Sequence, residues 1–206
     1  MTTGTVVHVQ TGPGGRTRVR RGLVACLVLA ATTSLLGAGG AVSQPVTVRE
    51  DGGVYRVAAT FETQQSALLV REVLTDYEQI PRFMPDVRFS RVVAREPAYV
   101  VVEQEATAKV LFFSKTIHLR LLVRETADTI AFTDACGRSF HRYDGTWTLR
   151  EQDGKAIVAY ALTAEPAFEV PEFILTRLFK RDADRMIARL QAEMAGRAAA
   201  AKGAPD

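Results

Sequence analysis

The segment YDGTWTLREQDGKAIVAYAL, residues 143–162, contains two runs of alternating apolar and polar residues on either side of a QDG triplet. Alternation with a period of two is typical of β-strands, and an Asp-Gly pair between two such runs indicates a tight hairpin turn. A turn at this position pairs Trp147 with Tyr160 and places both side chains on one face. We therefore predict an antiparallel sheet to which this hairpin contributes part of the apolar face.

The rest of the chain from Val54 predicts a meander of strands. One strand is predicted at Val54–Phe61, where apolar and polar residues alternate. Six more follow at Val87–Arg95, Tyr99–Val110, Lys115–Glu125, Thr129–Asp134, Phe140–Arg150 and Ala156–Ala164. Because no helical pattern separates these six, consecutive strands are expected to run antiparallel.

Two segments show helical spacing instead. Between the first two strands, TQQSALLVREVLTDY places apolar residues at helical intervals behind the capping candidates Thr63 and Ser66. After the last strand, VPEFILTRLFKRDADRMIARLQAEM, residues 170–194, predicts a long amphipathic helix. Its apolar stripe comprises Phe173, Leu175, Leu178, Phe179, Ala183, Met186, Ile187, Leu190 and Met194. The whole pattern predicts an α+β domain with a curved, seven-stranded antiparallel sheet.

Residues 1–43 are predicted to be a secretory signal. Four arginines between positions 16 and 21 precede the uncharged run GLVACLVLAATTSLLGAGGAV, which ends in small residues. This order favours cleavage near Ala41 or Ser43, and hence a periplasmic or secreted protein. The alternative is an uncleaved membrane anchor, because Leu23–Val42 has the length of a helix of about 20 residues that spans a bilayer.

The remaining residues divide into a linker at 44–53, one folded domain at 54–195 and a flexible tail at 196–206. Four of the chain's 26 Lys and Arg lie in the predicted signal, so residues 44–206 keep 22 against 23 Asp and Glu, a net charge of −1. This near neutrality argues against a nucleic-acid partner.

The sequence shows no motif for a metal or cofactor. Metal-ligand spacings, glycine-rich phosphate loops and nucleophile elbows are all missing from it, so we predict neither a metal nor a cofactor. Cys26 belongs to the predicted signal, which leaves Cys136 as the one cysteine of the mature chain and excludes an internal disulfide.

A second hairpin, with its tip in the FF pair of KVLFFSK at 109–115, can be phased in the same way. The pairing then sets Glu105 opposite Arg120 on a charged outer face and Gln104 opposite Leu121 on an apolar inner face. A slip of one residue would exchange the two faces.

The predicted inner face mixes small and wide side chains. The small ones are Ala106, Ala108 and Gly145, and the wide, rigid ones are Phe132, Trp147 and Tyr160. A sheet of this kind curved around one helix encloses either an apolar ligand cavity or an ordinary filled core, and both alternatives stay open here.

Polar residues on the inner face are the candidates for chemistry. Gln104, His141, Tyr143 and Tyr160 point inward in this phasing, unless a bulge near Tyr143 reverses the start of its strand. His141 and Tyr143 form the one pair suited to acid–base catalysis. The alternative is that His141 is a structural or exposed residue.

Three segments, VLTDYEQIPRFMPDV, YDGTWTLRE and VPEFILTRLFKRDADRMIARL, carry a family resemblance. In their order along the chain they resemble the START and Bet v 1 superfamily and, within it, the coenzyme Q-binding and polyketide cyclase/dehydrase-like branch. The resemblance covers Val54–Ala195. It implies the helix-grip fold, in which a curved sheet surrounds a C-terminal helix and two short helices form one wall of a cavity mouth.

The resemblance implies a binding or transport protein for a hydrophobic small molecule such as a lipid or an isoprenoid quinone. The predicted ligand-binding residues are Phe83, Met84, Gln104, Phe132, Trp147, Tyr160, Leu175, Leu178 and Phe179. The alternative function is a cyclase or dehydratase that acts on a polyketide-like substrate through His141 and Tyr143.

The apolar hairpin tip between Lys109 and Lys115 also predicts a transient contact with a membrane surface. The alternative is that the tip is covered by another part of the fold or by a dimer partner.

Overall fold

The structure is a computed structural model that describes residues 45–110 and 113–203. These residues all belong to the second of two compact units in the chain, Gly39–Asp206. The predicted signal at 1–43 lies outside the described residues. Within the described ranges, no helix combines the length and hydropathy of a membrane span.

The described part of the chain contains eight strands, three α-helices and a 3-10 turn at Tyr77–Gln79. The strands are β1 (Thr47–Asp51), β2 (Val54–Thr63), β3 (Val87–Glu96), β4 (Tyr99–Val110), β5 (Phe113–Glu125), β6 (Thr129–Asp134), β7 (Phe140–Gln152) and β8 (Lys155–Pro166). The helices are α1 (Ala67–Thr75), α2 (Ile80–Phe83) and α3 (Glu172–Gly203). All strands form one antiparallel sheet in the order β1-β2-β8-β7-β6-β5-β4-β3.

The hydrophobic core lies between the concave face of the sheet and α3. Phe61, Val102 and Val158 from the strands and Met194 from α3 are fully buried in one cluster. Complete burial of an aliphatic or aromatic side chain contributes roughly 1.5–3 kcal/mol. The predicted α+β class, with a curved antiparallel sheet and a long C-terminal helix, is confirmed.

The sheet has eight strands rather than the predicted seven, because β1 lies within the segment 44–53 that was predicted to be a linker. Asp51 pairs with Val54, and the turn between them consists of Gly52 and Gly53 with φ angles of 59° and 87°. Glycine adopts such left-handed angles without a steric penalty. The side chains of β1 alternate between exposed and half-buried, so the strand carries little apolar signal.

Helix α3 continues to Gly203, so it includes most of the segment 196–206 that was predicted to be a flexible tail. Four consecutive alanines follow Arg197, and alanine is the strongest helix former. Arg197 also forms ion pairs with Asp76 at 2.9 Å and with Glu193 at 2.7 Å. The high helix propensity of the alanines and the ion pairs of Arg197 together extend the helix beyond its apolar stripe.

The register of the β7–β8 hairpin is the predicted one. Trp147 lies opposite Tyr160, and the turn falls at Asp153 and Gly154, whose φ angles are 52° and 74°. The Asp-Gly pair was therefore a sufficient signal for both the turn and the pairing.

The register of the β4–β5 hairpin differs from the prediction by two residues. Glu105 lies opposite His118 rather than Arg120, and the last pair is Val110 with Phe113. The turn therefore falls one residue earlier than the predicted FF tip. Because side chains alternate with a period of two, a shift of two residues leaves each of them on its predicted face.

Gly145 allows an aromatic ring to lie directly on the sheet. Its cross-strand partner on β6 is Phe132. A Cβ atom at position 145 would stand 2.6 Å from the carbonyl oxygen of Ala161 and 2.9 Å from Cε2 of Phe132. Both distances are too short for ordinary carbon contacts, so a larger residue would displace the backbone or the ring.

We expect Gly145→Ala to lower the free energy of unfolding by about 1–3 kcal/mol, the usual cost of overpacking. Gly196→Ala is the matched control, because position 196 lies in α3 with no atom within 4 Å of an added Cβ. There alanine should stabilise the helix by up to about 1 kcal/mol. Denaturant unfolding of the two variants should thus give shifts of opposite sign, and a neutral Gly145→Ala would contradict the analysis.

Candidate ligand-binding cavity

A cavity of about 340 Å³ lies between the concave face of the sheet and α3. Its remaining wall comes from α1, the 3-10 turn and α2, which contribute Val73, Leu74, Tyr77, Ile80 and Phe83. Small-molecule sites are typically clefts of about 300–1,000 Å³ with mostly apolar linings and a few polar groups. The size and the lining of this cavity both fit that description.

All nine residues predicted to bind a ligand line the cavity. The strands supply Gln104, Phe132, Trp147 and Tyr160. The last residue of α2 and the residue after it supply Phe83 and Met84, and α3 supplies Leu175, Leu178 and Phe179. The side chains are thus brought together from distant parts of the sequence. Their contact with a ligand remains a prediction.

The candidate catalytic pair is separated in the structure. Phe140 pairs with Pro166 and Arg142 with Glu165, so His141 is the extra residue of a β-bulge. The His141 side chain is exposed and is not among the residues that line the cavity. Tyr143, beyond the bulge, does line it, because the bulge changes which residues at the start of β7 face inward.

Charged residues line the cavity where it meets solvent. Arg189 on α3 donates from Nη1 to Oδ2 of Asp86 at 2.9 Å, and Asp182 accepts from Nε of its neighbour Arg181 at 2.9 Å. The side chains of Asp86, Asp182 and Arg189 are 46%, 45% and 32% exposed. We call these three residues the rim.

Two ion pairs tie α3 to the segment that forms the side wall. Arg189 binds Asp86 and Arg197 binds Asp76, each at 2.9 Å. The two aspartates bracket residues 77–85, which include the 3-10 turn and α2. The segment is therefore attached to α3 at both of its ends.

The sequence of the cavity-forming region matches a known family. The profile of the family described as polyketide cyclase / dehydrase and lipid transport matches residues 66–191, well over half of the chain. The chain belongs to this family. No curated protein sequence matches it.

Solved structures show the same fold. A START superfamily protein from Mycobacterium smegmatis is 16% identical, with a TM-score of 0.58 over 68% of this chain and 97% of that one. An aromatase/cyclase from Streptomyces sp. R1128 is 16% identical, with a TM-score of 0.63 over 73% and 99%. A STAR-related lipid transfer protein from Xanthomonas axonopodis is 15% identical, with a TM-score of 0.53 over 73% and 99%.

The predicted resemblance to the START and Bet v 1 superfamily and to polyketide cyclases is thereby confirmed, whereas its coenzyme Q-binding part remains a prediction. At such low identities the structural similarity establishes the fold alone. The chemistry of this family member has to be argued from its own cavity.

Five rings on the concave side of the sheet form what we call the aromatic floor: Phe132, Phe140, Tyr143, Trp147 and Tyr160. The ring centroids of Trp147 and Tyr160 are 4.3 Å apart, those of Phe140 and Tyr143 are 4.8 Å apart, and those of Phe132 and Tyr143 are 5.9 Å apart. Such tilted arrangements are favourable contacts between aromatic rings. All five residues line the cavity.

The two phenols of the aromatic floor are uncommitted hydrogen-bond donors. Burial raises the pKa of Tyr143 to about 12 and that of Tyr160 well above its ordinary value, so both stay protonated at neutral pH. Neither hydroxyl has a hydrogen-bond partner among the described residues. Since no fully buried side-chain oxygen there lacks a partner, both hydroxyls must border open space.

Tyr77 provides a contrast. Its hydroxyl donates to Oε1 of Glu125 at 2.7 Å, and Arg71 donates to the other oxygen of that carboxylate at 3.0 Å. Burial and this hydrogen bond raise the pKa of Tyr77. Its hydroxyl is thus engaged within the protein, although its ring lines the cavity.

Gln104 is also partly engaged, because its Nε2 donates to Oγ of Ser90 at 3.1 Å. Among the described residues, no cluster of three or more His, Cys, Asp or Glu side chains is arranged to hold a metal ion.

The rim residue Asp182 was missed in the sequence. Partial burial raises the pKa of its carboxyl group, and nearby Asp86 raises it further, while Arg181 and Arg185 act in the opposite direction. A signal was present, because Asp182 lies three and four residues after Phe179 and Leu178 and so shares the apolar face of α3. Arg189 on the same helix also lines the cavity and was not among the predicted site residues.

Asp182 should make the folded state less stable as pH rises. With a raised folded pKa, the native protein holds this proton to higher pH than the unfolded chain, so stability is lost as pH rises from about 3.9 through the folded value. We expect Asp182→Asn, which cannot ionise, to gain stability relative to wild type between about pH 3 and pH 7. The midpoints of denaturant unfolding at these two pH values measure this gain in stability. The exposed Asp184→Asn is the control, and an equal gain in both variants would contradict the assignment.

The attachment of residues 77–85 to α3 predicts a local effect. Arg189→Met and Arg197→Met should speed amide hydrogen exchange in this segment several-fold, because each releases one of its ends. Global stability should change by less than about 1 kcal/mol, since partly exposed ion pairs contribute little. Lys180→Met, which breaks the exposed pair with Asp184 on the same helix, is the control and should leave exchange in this segment unchanged. Equal exchange in all variants would show that the ion pairs do not hold the wall.

Proposed function

We propose that this protein binds and carries a hydrophobic small molecule, such as a lipid or an isoprenoid quinone, in the cavity between sheet and α3. The observation that carries the proposal is the lining itself, in which aliphatic and aromatic side chains surround about 340 Å³ of open space. A ligand that removes apolar surface from water there gains about 25 cal/mol per Å², from which the cost of association must be subtracted.

The family and its relatives support this proposal. The family description includes lipid transport, and one structural relative is described as a lipid transfer protein. The aromatic and aliphatic walls would supply affinity, and the few polar groups would fix orientation.

We further propose that the protein acts after export, in the periplasm or outside the cell. The support is the order of basic, apolar and small residues in 1–43, which lies outside the described residues. The membrane contact predicted for the β4–β5 tip also remains a proposal, because residues 111–112 lie outside the described ranges.

The test is native mass spectrometry of the full chain, purified gently, together with analysis of an organic extract for lipids and quinones. We expect a stoichiometric hydrophobic passenger. Ala106→Phe should abolish it, because Ala106 lines the cavity and a benzyl group would fill the space. Ala161→Phe is the matched control, since Ala161 is exposed on the other face of the sheet. A chain that is empty and also takes up no offered lipid or quinone would overturn the carrier function.

A cyclase or dehydratase acting on a polyketide-like substrate is the second candidate. His141 cannot serve it, because this side chain is exposed outside the cavity. The observation in its favour is Asp182, a rim carboxyl group whose pKa is shifted toward the range useful for proton transfer. Under this function Asp182→Asn would abolish turnover and preserve binding, whereas binding without any turnover in the wild type supports the carrier.

A further inference from the structure

We infer that the hydroxyl groups of Tyr143 and Tyr160 form a two-donor site that binds uncharged acceptor oxygens on the ring portion of the ligand. The favoured ligand is therefore a flat, neutral ring compound that carries ketone or quinone oxygens, with this end against the sheet. The inference rests on the proposed function, because it specifies the chemistry of the molecule that the cavity holds.

The placement of the two phenols follows from the strand register. Tyr143 lies opposite Ala164, and Tyr160 lies opposite Trp147, so the phenols stand on the same face of neighbouring strands. Along that face Gly145 lies between Tyr143 and Trp147. The ring of Phe132 covers Gly145 and contacts Tyr143, while Tyr160 contacts Trp147, so aromatic rings accompany each phenol.

The rings beside each phenol favour a flat ligand. Neighbouring floor rings are tilted by 33–41° to one another, so a planar ring system can stack on one of them while its edge meets the next, which adds a geometric preference to the general gain from apolar burial. A flexible acyl chain would gain the burial but not the stacking, and it would lose more conformational freedom on binding. The floor therefore selects for a rigid ring.

The hydroxyls select for acceptor oxygens. Both border open space and have no partner among the described residues, so each is free to donate a hydrogen bond to an oxygen atom of a bound ligand. Covering them with a hydrocarbon would leave two buried donors unpaired, which is unfavourable. Covering them with carbonyl groups replaces the lost water contacts.

The distribution of charge excludes an ionised group at this end. Among the described cavity-lining residues, the formal charges belong to the rim, where Arg189 is already paired with Asp86. An ionised group beside the phenols would be desolvated with no charged lining side chain to pair with it, because the nearby Asp134 and Lys115 lie outside the lining. At the rim itself, Arg189 is engaged by Asp86 and Arg181 by Asp182, so an anionic head group would find no unpaired cation among the described lining residues. Fatty acids and phospholipids are thus disfavoured relative to neutral ligands.

The experiment compares 9,10-anthraquinone with anthracene, which has the same three-ring frame and no oxygens. Trp147 is the single tryptophan of the chain and lies in the aromatic floor, so its fluorescence reports binding in the full-length protein. Tyr143→Phe and Tyr160→Phe keep each ring and remove only the hydroxyl group. Tyr99→Phe is the control, because Tyr99 does not line the cavity.

Each floor variant should weaken anthraquinone binding about fivefold to tenfold, as expected for the loss of one neutral hydrogen bond. Anthracene binding should change by less than about twofold, because no hydrogen bond is lost with it. Comparing the two ligands within each variant cancels effects of the substitution on stability or ring packing. The control variant should bind both compounds as the wild type does.

Three further ligands test the effect of charge on binding and the chemical class of the cargo. Anthraquinone-2-carboxylate should bind more weakly than anthraquinone, and equal or tighter binding would overturn the requirement for neutrality. A naphthoquinone with an isoprenoid chain and a tricyclic hydroxyketone distinguish a quinone cargo from a polyketide-like one, and preferential binding of either is compatible with the two-donor site.

The experiment distinguishes failure of the two-donor site from failure of the carrier function. If anthraquinone and anthracene both bind and the Tyr→Phe variants weaken both equally or neither, the two-donor site is wrong while the carrier function stands. If no hydrophobic compound alters the fluorescence of the wild type and the purified protein carries no passenger, the carrier function and the inference fall together.

Discussion

The packing of α3 into the curve of the sheet is the interaction on which the rest of the structure depends. Ile187, Leu190 and Met194 are between 0% and 4% exposed, so the C-terminal half of the stripe is fully engaged with the core. Toward its N-terminal half the same stripe presents Phe179, Asp182 and Met186 to open space. One amphipathic helix thus closes the core at one end and roofs the cavity at the other.

The local sequence predicted most of this architecture because its signals were strong where elements are regular. The Asp-Gly turn fixed the β7–β8 pairing, and the apolar stripe located α3. The β4–β5 tip contains only apolar and aromatic residues near its turn, so no turn residue marked its position and the register was wrong by two. Each side chain still lies on its predicted face of the sheet, because the register shift was two residues and side chains alternate with a period of two.

Other features depended on tertiary context. Nothing in the residues around His141 distinguishes a regular strand from a bulge, which is a property of the pairing with β8. The strand β1 was missed because TVRED has one large apolar residue, although the Gly52-Gly53 pair that follows it was a hairpin signal. Seven of the nine predicted cavity residues lie on strand or helix faces that periodicity could assign, whereas Phe83 and Met84 were placed at the cavity by the family resemblance. Asp182 was overlooked because a charge on an apolar stripe was not treated as part of that stripe.

The relatives share a fold and differ in what they are described as doing, one as an aromatase/cyclase and another as a lipid transfer protein. In such a family the apolar walls are a common property, and the few polar atoms that reach the cavity decide the chemistry. Here these atoms include the neutral phenols on the floor, the amide of Gln104 and the charges at the rim. A ligand is therefore offered donors at one end and a solvated, charged boundary at the other.

The short strand β1 has a consequence for the solubility of the whole domain. Without it, the ten residues of β2 would form the border of the sheet and present their unpaired backbone groups to other chains, which is a template for aggregation. With it, Val54–Ala58 of β2 are paired with a short strand that carries Arg49, Glu50 and Asp51, whose charges discourage edge-to-edge association. Proteolytic removal of Thr47–Asp51 would therefore expose the edge of β2 and favour association between sheets of different molecules.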